Sequence, residues 1–277
     1  MAESRAYQGT DILSLSDKER VIPLNNSDTT LDHLLNGQVA LEQPRDGYRV
    51  AIDPVFLAAA IPAKPYDKIL ELGLGTGAAA LCLLSRIPEV RVTGIEIDDE
   101  MARLARRNAD RNNVAQKLSI IVDDILSPPA ELQSEFDHVM MNPPYLENKK
   151  FSVSPSRKKT QAHHEGEADL AAFIKMGVRY LVSGGTLTVI HRADRRTEIL
   201  SLLSSSEVKM GGIVVYPLWS GSKSDGTLKE AKRILVQASQ DSQMPLRIAA
   251  GLVLHNPHGG YTSEAEAILR GRSALLL

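Results

Sequence analysis

With a single cysteine in 277 residues, the chain cannot form an intrachain disulfide or a cysteine-based metal cluster. That residue, Cys82, falls in Ala80-Leu81-Cys82-Leu83-Leu84, where a small buried apolar side chain is expected rather than a nucleophile. No apolar run approaches the length of a membrane span, and the opening Met1-Ala2-Glu3-Ser4-Arg5 lacks the apolar segment of a signal peptide. The expectation is a cytoplasmic protein with no membrane partner. Net charge is nearly absent too: 32 Lys and Arg against 34 Asp and Glu leave −2, which argues against a generally basic nucleic-acid binder. Internal repeats and low-complexity tracts are missing. What remains is ordinary globular composition, 43% hydrophobic and 24% charged, in a chain long enough for a sizeable core.

The charge is unevenly placed. Lys149 to Leu200 carries ten Lys and Arg against five Asp and Glu, a local +5, whereas Met1 to Tyr48 carries four against eight, a local −4. Residues 1–29 are polar and weakly periodic, as a flexible N-terminal arm would be, leaving 30–277 as one domain. Within it, 30–60 reads as a hairpin and a helix, with Asp53 as N-cap and Pro54 at the first helical position, and 61–277 as the core. From Lys68 onward strands and helices alternate. Strands are predicted at 68–72, 91–97, 119–122, 136–141 and 186–190, and helices at 78–86, 99–112, 168–182 and 194–204. A strand-rich tail follows at 212–218, 233–238 and 246–254. Near-continuous apolar strands alternating with helices mean an α/β fold, a parallel sheet covered on both faces.

Asn142-Pro143-Pro144-Tyr145 follows the fourth of these strands. Two prolines fix φ and remove two backbone donors, so the chain leaves the sheet stiff and extended. A side-chain amide, carbonyl oxygens and a flat ring remain as a cup for a planar group bearing an NH₂. The exocyclic amine of adenine is a poor nucleophile because its lone pair is delocalised into the ring. Acceptance of its hydrogens by the Asn142 side-chain oxygen and the Pro143 carbonyl would free that lone pair, while Tyr145 stacks on the base, worth ~1–3 kcal/mol. The plainer reading makes Asn142 a turn residue and Tyr145 ordinary core. The positive stretch begins just beyond this cup, where a phosphate backbone would lie. As a solvated surface loop it is equally well explained.

Leu72-Gly73-Leu74-Gly75-Thr76-Gly77 ends the first core strand and opens a helix, offering positive φ and free amides to a ligand. Glycines at 73, 75 and 77 miss the dinucleotide fingerprint, which needs its third glycine one residue later. Glu71, at the strand's end, could hold an ammonium. Glu96 closes the next strand, 23 residues after Gly73, where such sheets grip a ribose diol. Asp98 and Asp99 are read as caps of the following helix. Asp124, of the pair Asp123-Asp124, offers an acceptor for an adenine amine, with Ile125 as an apolar wall.

Together these residues resemble the class I S-adenosylmethionine-dependent methyltransferases, and more narrowly the amino-methylating branch that carries Asn-Pro-Pro-Tyr. Gln43-Pro44-Arg45-Asp46-Gly47-Tyr48-Arg49-Val50-Ala51-Ile52-Asp53, ahead of an apolar helix, is similar to the bacterial family that methylates an adenine beside the valine tRNA anticodon. The resemblance spans about Leu31 to Ala238. It implies a Rossmann-like, mostly parallel seven-stranded sheet with helices on both faces and its last strand antiparallel. The cofactor would be S-adenosylmethionine, gripped by Gly73, Gly75 and Gly77, by Glu96 with Ile97 beside it, and by Asp124 and Ile125. Asn142, Pro143 and Tyr145 would be the catalytic cup, Asn142 also bordering the cofactor. Arg49 and Asp53 would fold over its methionine part, and Glu71 stands where many relatives have aspartate. The partner would be RNA, foremost a tRNA near its anticodon, tracked by Lys149, Lys150, Arg157, Lys158, Lys159, His163 and His164. No metal is expected, since nothing clusters with the His pair. A release-factor glutamine amide, ribosomal RNA or DNA adenine, and a non-catalytic binding module stay open as alternatives. Oligomeric state is not readable.

Overall fold

The computed structural model describes residues 28–46, 49–127, 132, 135–144, 170–205, 210–223 and 225–277. Strands β1 (Thr29–Leu34) and β2 (Val39–Pro44) form an antiparallel hairpin, followed by helix α1 (Asp53–Ala60). Then come β3 (Lys68–Leu72), α2 (Ala78–Arg86), β4 (Arg91–Glu96), α3 (Asp99–Arg111), β5 (Leu118–Val122) and β6 (Phe136–Met141). The second half holds α4 (Leu170–Arg179), β7 (Leu181–Arg192), α5 (Arg196–Leu203), β8 (Met210–Trp219), β9 (Ala231–Gln240), β10 (Arg247–Ile248), β11 (Leu252–Val253) and α6 (Ser263–Leu269).

The main sheet runs β10-β8-β9-β7-β6-β3-β4-β5, with β11 also on β8. Strands β3 to β7 are mutually parallel, while β9 is antiparallel to both β7 and β8. The carboxyl ends of the parallel strands and the amino end of β9 therefore share one edge. β10 and β11 are pieces of one interrupted edge strand, parallel to β8. A single strand over 246–254 was expected; Gly251 (φ 80°) breaks it. A Cβ there would sit 2.2 Å from the Pro217 carbonyl oxygen, so only glycine permits this close crossing.

The two-residue period of the strands divides the core into two layers. Ile69, Met140, Ile190 and Leu235 face α1 and α2, packing with Phe56, Leu57, Leu81 and Leu84. Leu70, Leu72, Val139, Met141, Val189 and Val236 face α4 and α5, packing with Phe173, Ile174, Ile199 and Leu203. Helices cover both faces, which is why these strands read as mostly apolar runs.

The N-terminal hairpin is fastened to α3 by amides. Asn108, with 0% exposure, donates to the Glu42 carbonyl (2.8 Å) and accepts from the Glu42 N–H (2.7 Å). One turn on, Asn112 donates to the Ala40 carbonyl (2.7 Å) and accepts from its N–H (2.9 Å). The buried Glu42 carboxylate accepts from Thr29 Oγ1 (2.8 Å) and pairs with Arg107 (3.1 Å) and Arg111 (3.3 Å). No helix among the described residues is long and apolar enough to cross a membrane.

Candidate active site at the carboxyl edge

The glycine loop leaves β3 at the sheet's centre. Gly73, Gly75 and Gly77 all adopt left-handed conformations, with φ of 74°, 57° and 86°, a region costly for residues with a Cβ. Their surroundings differ. A Cβ on Gly73 would meet Phe173 Cε1 at 3.4 Å, and one on Gly77 would meet Ala105 at 3.6 Å, whereas beside Gly75 nothing lies within 4 Å. The middle glycine thus borders open space. Gly73 and Leu74 donate to the Ile95 carbonyl (both 3.0 Å), which locks the loop onto β4.

Glu96 orders the loop further. One carboxylate oxygen accepts from the Gly75 N–H (2.7 Å) and the other from Asp98 N–H (2.8 Å). Burial pushes its carboxyl up, and the Asp98 charge adds to this, against hydrogen bonds from Asp98, Gly75 and Ile97 that lower it. Asp98 caps α3 through the Glu100 and Met101 amides, as expected. Asp99 instead pairs with Arg103 on the first turn. Ile97 is 48% exposed beside Glu96. Across the ladder, Glu96 is level with Val122, which brings Asp123 and Asp124 alongside. Asp124 is half-buried, its Oδ1 accepting from Leu126 N–H (2.9 Å), and Ile125 is buried behind it.

Glu71 lies one residue before the turn and points toward α2. Its carboxylate accepts from the Ala80 N–H, standing in for the side chain that Gly77 lacks as N-cap. Burial holds this carboxyl well above the usual range, and the nearby Glu96 raises it further. Its Oε2 is buried without a partner among the described residues, as is Thr76 Oγ1 in the loop. The Thr76 carbonyl is held by Asn108 (3.0 Å), so one amide joins α3, the hairpin and the glycine loop. Sequence reasoning missed Asn108. Its signal was a lone amide within the apolar face formed by Ala102, Leu104, Ala105 and Ala109.

Met141, the last residue of β6, is level with Leu72 of β3 and Val189 of β7. Asn142-Pro143-Pro144 therefore departs directly beside the glycine loop, with Asn142 half-buried, Pro143 buried and Pro144 exposed. Tyr145, Lys149, Lys150, Arg157, Lys158, Lys159, His163 and His164 lie outside the described residues.

Arg49 and Asp53 are held by different elements. Arg49 donates to Asp32 (2.7 Å) and Thr30 (2.8 Å) of β1. Asp53 begins α1 without capping it, contrary to expectation; Ile52 is the N-cap, and Asp53 Oδ2 accepts from Arg233 Nε of β9 (2.8 Å). This charge-assisted bond joins the start of α1 to β9 across 180 residues of sequence. His191, also unanticipated, is buried near the carboxyl end of β7, its Nδ1 accepting from the Arg192 N–H (2.9 Å). Burial, helped by the Arg195 charge, pushes its imidazole down to about 4, so it is neutral at physiological pH.

Strand order, the antiparallel β9 and a glycine loop at the central crossover define a Rossmann-like methyltransferase fold. A solved structure of a predicted O-methyltransferase from Agrobacterium tumefaciens superposes with a TM-score of 0.65 at 25% identity, covering 81% of this chain and 99% of that one. The family model described as methyltransferase small domain matches residues 51–209, and the chain belongs to this family. Relatives named tRNA1(Val) (adenine(37)-N6)-methyltransferase include one from Porphyromonas gingivalis, 34% identical over 57% of this chain and 64% of that protein. Another, from Shewanella woodyi, is 24% identical over 81% of this chain and 92% of its own length. The match to the first of these thus spans less than two thirds of that relative.

Proposed function

We propose that this chain transfers a methyl group from S-adenosylmethionine to the exocyclic amine of an adenine in tRNA, near the anticodon. The observation that carries the proposal is the register at the sheet's centre: Met141 is level with Leu72, so the Asn-Pro-Pro segment and the glycine loop emerge side by side. The names of the relatives point to the same nucleobase and the same class of RNA.

The residues fit the donor. Gly75 leaves room for a ligand against its backbone, Glu96 presents a loop-ordered carboxylate suited to a ribose diol, and Glu71 keeps a buried acceptor oxygen with no partner for an ammonium. Asp124, Ile97 and Ile125 would surround the adenine, and Arg49 and Asp53 belong to the segment that would close over the methionine end. Bound there, the donor supplies an electrophilic methyl on a sulfonium. Asn142 and the Pro143 carbonyl would accept the two hydrogens of the target amine, turning its lone pair toward that carbon. Tyr145 would hold the base by stacking. The nitrogen gains the methyl as the carbon–sulfur bond breaks, and is then cationic and strongly acidic. It gives its extra proton to water, so no base of shifted pKa is required and positioning provides most of the acceleration. The base must leave its loop, at a few kcal/mol, least where it is already unpaired. The segment 149–164 would track the flanking phosphates.

Asn142→Ala is expected to abolish transfer while leaving donor affinity within about twofold. Labelled donor incubated with total tRNA, ribosomal RNA and a purified release factor, followed by nuclease digestion and mass spectrometry, locates the methyl group. Label on a glutamine, or equal loss of binding and transfer in Asn142→Ala, refutes the assignment.

A further inference from the structure

The catalytic edge continues past β7 into a region that neither the glycine loop nor the Asn-Pro-Pro segment uses. Arg192 at the end of β7 is level with Arg233 of β9, and Arg233 with Leu218 of β8. β11 extends the same edge, since Val253 is level with Trp219 and His255 Nδ1 lies 3.0 Å from the Ser220 carbonyl oxygen. At ~4.8 Å per strand, this corner stands about 15–20 Å from β6.

Its side chains are cationic and exposed. Between β8 and β9 the chain forms a small closed hairpin, with Ser222 bridged to Leu228, Lys223 N–H on the Thr227 carbonyl (2.7 Å) and Lys229 N–H on the Gly221 carbonyl (2.8 Å). This hairpin displays Lys223 and Lys229, with Lys232 at the start of β9 and Arg196 on the neighbouring corner. None of the four has an ion-pair partner among the described residues. Of the acids nearby, Asp194 is ion-paired with Arg192 and Glu198 with Arg195 (2.5 Å), while Asp225 accepts from the Thr227 hydroxyl (2.6 Å) and keeps its charge, so Asp225 and Glu230 are the counter-charges on the turn. Beside the lysines, His255 and Tyr261 stack with centroids 4.9 Å apart, and Tyr261 stays 37% exposed.

We propose that this stretch of the edge is a second RNA-contact surface. Arg196, Lys223, Lys229 and Lys232 neutralise phosphates of the RNA flanking the target base, and the Tyr261 ring gives a stacking face to an unpaired base. The inference rests on the RNA reading above and adds where the body of that RNA lies. Cations on the β8–β9 hairpin, on the same edge of the sheet as the cup and about 15–20 Å from it, with an aromatic face on their far side, match the chemistry of a folded polyanion with exposed bases.

The test uses the full chain and a fluorescent, unmodified valine tRNA transcript, with binding followed by anisotropy from 50 to 200 mM salt (an assay range of about fourfold). Each lost phosphate contact lowers the salt slope by about 1, so Arg196→Glu with Lys229→Glu and Lys232→Glu should lower it by about 3 and weaken binding at least ~30-fold. Lys64→Glu, on the opposite edge of the sheet, should do neither. Tyr261→Ala should weaken binding at least ~5-fold with the slope unchanged. Retained S-adenosylmethionine affinity in calorimetry certifies each fold; should the triple reversal lose it, the corresponding Gln triple carries the test with the same expected change in slope. A triple variant that behaves as Lys64→Glu overturns the surface, and an unchanged Tyr261→Ala overturns the stacking role. Unaltered protein that methylates no RNA and binds this transcript without salt dependence would instead remove the RNA reading itself.

Discussion

Asn108→Ala tests whether one buried amide holds the active-site loop and the N-terminal hairpin in a common frame. The side chain has 0% exposure and makes three bonds to backbone groups, at 2.7 Å and 2.8 Å to Glu42 and 3.0 Å to Thr76. Each buried backbone group left without a partner costs about 1–3 kcal/mol. Three of them set a floor near ~3 kcal/mol, and a water entering the vacated space would hold the loss near ~5 kcal/mol. For a domain of this size that lowers Tm by roughly 6–15 °C. Urea unfolding gives the free energy, and calorimetric titration with S-adenosylmethionine gives the functional effect, since the Thr76 carbonyl and the adjoining glycine loop lose their anchor. Asn108→Asp should be worse, because it keeps the acceptor but sets a carboxylate against two carbonyl oxygens. A Tm drop below about 2 °C, with donor affinity unchanged, would refute the reasoning and show that loop and hairpin are held elsewhere.

Gly75→Ala should cost only about 1 kcal/mol of stability through its left-handed φ, but weaken donor binding more than ~10-fold because the methyl occupies ligand space; equal effects on both would argue against a ligand there. Burial holds the Glu71 carboxyl high, so its contribution is present below about 4.5 and is lost as pH rises through the folded-state value. Tm measured from pH 4 to 9 (roughly the carboxylate-to-amine range) should therefore fall less with rising pH in Glu71→Gln than in the native chain, and parallel curves would contradict this. His191 runs the other way. Its depressed value means that stability is full above 6.5 and declines as pH falls toward about 4. The decline is worth up to ~3 kcal/mol, and His191→Gln should flatten it in acid-unfolding curves.

Strands β3 to β6 were legible almost to the residue because helix-covered strands are mostly apolar and stand out from the polar turns around them, Glu71, Glu96 and His138 being the buried exceptions. The prediction for β7 was five residues long, whereas the strand runs Leu181–Arg192. Gly184-Gly185 reads as a breaker, yet it lies where the ladder shifts register. A Cβ on Gly185 would come within 2.9 Å of the Asp137 carbonyl oxygen. The helix expected to reach Val182 ends at Arg179 for the same reason, since β7 claims the residues after it. Helix α6 went unread although Thr262, which accepts from Ala265 N–H (3.2 Å), announces it locally. The glycine loop, the strand-end acids and Asn-Pro-Pro were visible because each is a short contiguous pattern. Asn108, Arg233 and His191 were not. Their partners lie 66 and 180 residues away, or depend on burial that only the assembled sheet creates.

The asparagine bolts through α3 bear on how far this protein can be trimmed. The family match begins at residue 51, so a fragment cut to that span would discard β1 and β2 entirely. It would also strip Asn108 and Asn112 of their Glu42 and Ala40 partners and bare the seat of Val39 and Leu41, both at most 1% exposed. A minimal version that keeps its shape must carry the hairpin along or rebuild that side of α3 for water. In that sense the hairpin ahead of the matched span is part of the folded body and no detachable prefix.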